Sequence, residues 1–256
     1  MHQAVGRIKD RFDDLGYSVV RGLFAEDEVA AWGSEVERLL ALPGLVDDRN
    51  WRTPFRKRAD GSSSVEKLDP VVDISPVFAA LAQDHRLIEA VRSVLLDPNP
   101  VLLKDKVILK PPGQDGYPLH QDYNWWHRYP PDALCTAVVA IDQADARSGA
   151  IEFFQRRHQR PLLEDGAYRS LSAREAADLD DASSEIVELA PGDIVIFHSL
   201  TPHCSSRNLS DAPRRAFYPT YARNDGEDVY EEHARRHRRR LAEALTPERR
   251  AEMFFR

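Results

Sequence analysis

Cysteine is nearly absent: Cys135 and Cys204 are the two thiols in 256 residues, too few for a disulfide framework or a four-thiolate zinc site. No window approaches the roughly 18 uninterrupted apolar residues that a membrane span requires. Met1–Arg11 also lacks the apolar stretch of a signal peptide, so a cytoplasmic protein without a membrane partner is expected. There is no excess of positive charge. Lys and Arg number 35 against 42 Asp and Glu, a net charge of −7, which gives no reason to expect nucleic acid as a partner. What is present is 42% hydrophobic and 30% charged residues, enough for a sizeable core under an ordinary polar surface. With no internal repeat and no evident linker, one domain over residues 1–256 is expected.

Residues 1–100 read as a mostly helical flank. Gln3–Leu15 is a short amphipathic stretch, and Tyr17–Val20 a plausible strand. In Glu26–Leu40 the apolar positions Val29, Trp32, Val36 and Leu39 step by three and four, as one helical face does. His85–Leu96 repeats that pattern before Asp97-Pro-Asn-Pro100 stops it. Asp47–Ser64 has no steady period and reads as a long loop. From residue 101 to 222 the pattern changes to short β-branched and aromatic runs separated by turns. The expected strands are Val101–Leu109, Tyr117–Asn124, Leu134–Ile141, Ala150–Phe154, Glu185–Leu189, Ile194–His198 and Arg214–Tyr221. Leu162–Ser184 reads as a helical or irregular insertion, and residues 228–256 return to helix. The expected class is mainly β, a sandwich or barrel with flanking helices.

His120-Gln121-Asp122 falls in one of these runs. Side chains two apart on a strand share a face, so His120 and Asp122 converge and Gln121 turns away. Far downstream, Ile194–His198 leads to a turn carrying His203. Two histidines and one carboxylate make the facial triad of non-haem Fe(II) oxygenases, which leaves positions open for a chelating 2-oxoacid and O2. A 2-oxoglutarate cosubstrate needs a second anchor for its far carboxylate, a task that suits the planar fork of arginine. Arg214 follows His203 by eleven residues on the next expected strand, which would make the two strands antiparallel neighbours.

With Lys110-Pro-Pro-Gly113, His120-Gln-Asp122, Gly192-Asp193 before a strand and His203-Cys-Ser-Ser-Arg-Asn208 followed by Arg214, the chain resembles the phytanoyl-CoA dioxygenase family from about Phe12 to Ala222. The resemblance implies a double-stranded β-helix (jelly-roll, cupin-like) core and oxidation of a C–H bond of a small molecule, most often by hydroxylation, in specialised metabolism. 2-Oxoglutarate and O2 would be converted to succinate and CO2. By that likeness His120, Asp122 and His203 bind Fe(II), Arg214 holds the distal carboxylate, Ser205 assists it, and Thr136 and Lys67 line the cosubstrate pocket. One departure is Phe154-Gln-Arg-Arg-His158-Gln, where the family has Pro-Gly-Ser-His-Lys, which sets the substrate-side loop apart.

Asn124, Trp125 and Trp126 leave the iron motif and read as a substrate wall, with Trp51 and Arg52 of the early loop as candidates to close over it. His158 and His198 read as structural. The basic run His233–Arg240 is flanked by Glu231, Glu232, Glu243 and Glu248, the pattern of a solvated helix with i,i+4 pairs. The rival readings are desaturation, epimerisation or ring closure by the same cofactors, a non-catalytic ligand-binding jelly-roll, and a nucleic-acid hydroxylase or demethylase that docks through the basic tail. Nothing in the sequence fixes the oligomeric state.

Overall fold

Leu134–Ala140 is buried along its whole length, and its alternate side chains feed two different cores. Ala137 and Val139 face a core shared with the helices, whereas Val138 and Ala140 face the interior of the β-structure. A strand with period-two geometry and apolar residues on both faces must lie between two layers. The computed structural model that shows this describes residues 2–58, 60–163, 169–177, 179, 183–226 and 228–256.

Before the centre of the chain the strands are β1 (Tyr17–Val20), β2 (Phe55–Lys57), β3 (Ser63–Val65), β4 (Lys67–Leu68), β5 (Val101–Lys104) and β6 (Val107–Ile108). After it come β7 (Leu134–Ala140), β8 (Ile151–Phe154), β9 (Ser184–Val187), β10 (Ile194–His198), β11 (His203–Ser205), β12 (Ala216–Phe217) and β13 (Thr220–Ala222). The helices are α1 (His2–Leu15), α2 (Glu26–Leu40), α3 (Pro76–Ala82), α4 (His85–Leu95), α5 (Ala173–Ala176), α6 (Val229–Glu243) and α7 (Pro247–Glu252). The larger sheet runs β1-β10-β7-β12-β6-β4, with β13 paired to β5 and β7; a smaller sheet runs β11-β8-β9. All of these pairings are antiparallel, as a jelly-roll requires. On the outer face, Val36, Leu39, Phe78, Leu87 and Val91 of α2, α3 and α4 pack on Ala137, Val139, Ile194 and Ile196. Between the sheets lie Val138, Val195, Phe197, Ile151 and Phe153. No helix among the described residues is long and apolar enough to cross a membrane.

Several expectations are corrected. Besides β1, found where a strand was expected and at one end of the large sheet, the helical flank supplies β4 at the other end, and the expected loop at 47–64 holds the hairpin β2–β3. Val101–Leu109 is two strands, broken at Asp105, whose buried carboxylate accepts the Val71 and Val72 amides. Arg214–Tyr221 is also two, interrupted at Pro219, which has no amide for the ladder. Tyr117–Asn124 is not a strand. Pro118 lacks a donor, His120 pairs only with His203 in an isolated bridge, and Asp122–Trp125 is one 3-10 turn. The C-terminal helix is two, α6 and α7, parted by Thr246, whose side chain caps α7 at the Arg249 amide. In the Leu162–Ser184 insertion, residues 164–168, 178 and 180–182 lie outside the described residues, and the short α5 is the one helix within the rest.

Candidate metal centre and the two cavities beside it

His120 and His203 are joined through the main chain: the amide of each donates to the carbonyl of the other, at 3.0 and 2.9 Å. Their rings lie 4.2 Å apart between centroids, and His120 Nε2 is 3.8 Å from Asp122 Oδ1. One donor atom from each of the three residues falls within 4.8 Å of the others. A carbonyl can only accept, so the contacts of His120 Nδ1 with Pro118 O (2.7 Å) and of His203 Nδ1 with Thr201 O (2.9 Å) put the ring protons on Nδ1. Both Nε2 lone pairs are then free to face a metal, in the tautomer such ligands use. Burial, with His203 next to it, pushes His120 down to about 3, and burial lowers His203 as well. Burial opposes the charge on Asp122, yet His203 and Lys106 hold its carboxyl below the usual range. Two neutral imidazoles and one carboxylate anion form a donor set already in the protonation state that a divalent metal takes.

Local structure fixes each ligand. Asp122 opens its 3-10 turn, and its Oδ2 accepts from Thr136 Oγ1 at 3.0 Å. Thr136 shares the inward face of β7 with Val138 and also contacts Thr220 Oγ1. It therefore orients the carboxylate from behind and does not line the cleft on the Arg214 side of the triad. Gln121 turns away as expected and ties the insertion down, donating to Arg160 O and Leu200 O and accepting from the Leu162 amide.

On one side of the triad, a cleft is walled by Ile108, Tyr117, Cys204, Ser205, Arg214 and Tyr218. Arg214 is buried, touches Tyr218 Oη at 3.4 Å, and leaves Nε without a partner. Among the described residues no carboxylate meets it. An orphaned buried guanidinium is costly unless an anion completes it, so the cleft fits a carboxylate at that end. Arg214 sits just before β12, in the larger sheet, and His203 on β11, in the smaller one. They face each other across the cleft and are not on neighbouring strands. Ser205 Oγ accepts from Lys110 Nζ (3.0 Å) and the Tyr117 amide (3.1 Å), which leaves its own hydrogen for the cleft. Lys110 opens the Lys-Pro-Pro-Gly motif, but the sequence assigned it no role in the site. Burial, reinforced by Arg214, pushes it down to about 6. As a neutral amine it has two hydrogens, and Ser205 Oγ and Gly149 O accept both. Gly149 is required here: it has φ +73°, and a Cβ would lie 2.6 Å from Lys110 Nζ.

On the other side lies a chamber of about 400 Å³ that shares Lys106, Tyr117, His120 and Asp122 with the cleft. Trp125 and Trp126 line it as expected, and Trp125 meets His120 edge-on at 5.3 Å. Lys67 lines it too, which places that residue away from the Arg214 cleft. Asn124 does not reach it; its buried amide donates to Arg169 O. Nor does Trp51, which lines a separate crevice beneath α6. Arg52 is no lid, being buried and clamped on both oxygens of Asp73. The basic C-terminal run is only partly solvated. Arg236 makes the expected i,i+4 pair with Glu232, but His233, His237 and Arg240 form the chamber roof. Burial pushes both histidines down to about 3, with Lys104 adding to the shift. His158 and His198 are structural: their rings pack at 5.5 Å, and His198 Nε2 reaches Asp132.

Comparison with known proteins agrees with this architecture. A methylphosphonate hydroxylase of Gimesia maris is 29% identical over 237 residues, 93% of this chain and 88% of that protein. A 2-aminoethylphosphonate dioxygenase from an uncultured bacterium is 26% identical over 224 residues, 86% of this chain and 82% of that one. Among solved structures, the non-haem α-ketoglutarate-dependent epimerase SnoN from nogalamycin biosynthesis superposes with a TM-score of 0.73 at 21% identity, covering 87% of this chain and 84% of that one, a likeness of fold. The sequence pattern of phytanoyl-CoA dioxygenase matches residues 12–216, and the chain belongs to that family.

Proposed function

We propose that His120, Asp122 and His203 hold the ferrous ion of this 2-oxoglutarate-dependent dioxygenase, that Arg214 anchors the cosubstrate, and that the enzyme hydroxylates a small molecule seated in the adjoining chamber. When bound, Fe(II) together with 2-oxoglutarate and O2 supplies the oxidation of a C–H bond, with succinate and CO2 as coproducts. The rest is the work of the protein. The Nδ1–H bonds to Pro118 and Thr201 aim both imidazoles, and Thr136 keeps Asp122 Oδ1 pointed inward. Arg214 meets the distal carboxylate with its planar fork while Ser205, held by Lys110, offers one further hydrogen bond. Neutral Lys110 adds no second charge, so that end is matched to a single carboxylate. Trp125 and Trp126 exclude water from the substrate side.

The observation that carries this reading is the pairing of an intact triad with an unpartnered, buried arginine across one cleft. A ligand-binding jelly-roll without catalysis would need neither. Two of the relatives are named for small phosphonates, in keeping with a small-molecule substrate. The test is an anaerobic titration with Fe(II) and then 2-oxoglutarate. A weak visible charge-transfer band is expected only when both are present, and it should vanish in Asp122→Ala. A full band in that variant overturns the ligand assignment.

A further inference from the structure

We infer that Lys67, Lys104 and Lys106 form a headgroup subsite for a compact phosphorus dianion, a phosphonate or a phosphate monoester, at the end of the substrate. The inference rests on the oxygenase reading for what becomes of that substrate, and on the chamber alone for how it is held.

The charges lining the chamber do not balance. Lys67 and Lys104 place their ammonium groups 3.1 and 3.4 Å from the same oxygen, Oδ2 of Asp69, so two cations share one anion. Lys106 has no hydrogen bond or ion pair at its ammonium among the described residues; its contact is the Tyr218 ring, 5.5 Å from the centroid. Arg56 is answered by Glu66 at 3.1 Å, and Asp122 belongs to the metal centre. Counted as ammonium groups, the three lysines and Asp69 carry a formal surplus of two positive charges in a partly buried space, and burial reinforced by Lys104 and Lys67 pushes Lys106 down to about 7 while no anion among the described residues answers it. Such a surplus is costly unless an anion of the same size neutralises it. His233 and His237 add no charge, since burial keeps their rings neutral, but they can donate hydrogen bonds from the roof.

The kind of cation identifies the kind of anion. On the cosubstrate side a single arginine fork fits a planar carboxylate. In the chamber three lysines, compact and rotatable point charges, share the lining with the guanidinium groups of Arg56 and Arg240, a mixed set that suits a tetrahedral group with several equivalent oxygens. In the same chamber, Trp125, Trp126 and Leu241 offer apolar surface to a short carbon skeleton. The shared walls His120 and Asp122 then bring a carbon near that head close to the metal centre.

The test is a calorimetric titration with ethylphosphonate, ethyl phosphate, ethanesulfonate and propionate, at a pH where the first two are dianions. It is run on the metal-free protein and again, without oxygen, on protein loaded with Fe(II) and 2-oxoglutarate. The phosphorus dianions should bind at least ten-fold more tightly than the two monoanions in both preparations. Lys104→Ala and Lys106→Ala should each weaken ethylphosphonate ten-fold or more, and Lys106→Arg should recover part of the loss. Equal affinity for propionate and ethylphosphonate, or no binding of either phosphorus compound, overturns the inference. So does tight binding that is present only with metal, since the head would then sit on the ion. Should a lysine variant not fold, the wild-type ranking decides. Succinate release with ethylphosphonate alone points to a C–P substrate, and release with ethyl phosphate alone to a phosphate ester. Loss of the cosubstrate band in wild type would sink the oxygenase reading while leaving the metal-free ranking to judge the headgroup.

Discussion

The two cavities flanking the triad share four wall residues yet differ in charge. The cleft beyond His203 has Arg214 and, at the wall shared with the chamber, Lys106, while Lys110, held behind Ser205, is pushed down to about 6 by burial. The chamber beyond Trp125 gathers lysines around a single aspartate. Burial alone therefore does not set the charge of a lysine. Lys110 has only a carbonyl and a hydroxyl for company and is pushed down to about 6, whereas the carboxylates Asp69 and Glu66 hold Lys67 above its ordinary value despite burial. The local partner decides the outcome.

That contrast can be broken at several points. Replacing the shared ligands should do most: His203→Ala or Asp122→Ala is expected to cut substrate-dependent succinate formation by at least about 1000-fold, read by coupled succinate assay. Arg214→Met should strike one side only, raising the KM for 2-oxoglutarate by about 100-fold; Arg214→Lys should recover only part, because the fork is lost. Thr136→Val removes the bond behind Asp122 and should weaken Fe(II) binding by about 10- to 100-fold. Excess iron should restore its activity, as it would not for Asp122→Ala.

The smallest effect concerns Asp105, which sits one residue from both Lys104 and Lys106. Burial pushes its carboxyl up to about 6, against lowering by the Val71 amide and Tyr230. A carboxyl raised in the folded state loses its proton later than in the unfolded chain. Stability should therefore be greatest below about pH 4, fall as pH rises to about 6 and stay level above, by at most about 3 kcal/mol. Asp105→Asn should flatten that slope in urea midpoints measured across the window. An unchanged slope would mean that the carboxyl ionises normally.

The triad was legible because its chemistry is written in residue identity: His120, Asp122 and His203 are the wrong side chains for the middle of an apolar core. Leu134–Ala140 and Ile194–His198 were legible because an unbroken apolar run has few other places to go. The reason given for the convergence of His120 and Asp122 did not survive, since a 3-10 turn and not strand alternation turns the carboxylate inward. The lysines were hidden for another reason. In a sequence, Lys104 and Lys106 look like any soluble surface, Lys67 was placed in the wrong cavity and Lys110 was only part of a motif; tertiary contact alone shows how the four are enclosed. The roof was misjudged likewise: His233–Arg240 has the charge pattern of a solvated helix, and its burial depends on what lies beneath it.

The paired amides of His120 and His203 have a last consequence. The link between these two positions of the candidate metal centre runs through peptide groups, so it survives when either ring is cut away. A histidine-to-glycine variant should keep its scaffold and present a vacant socket, into which free imidazole from the buffer can plug.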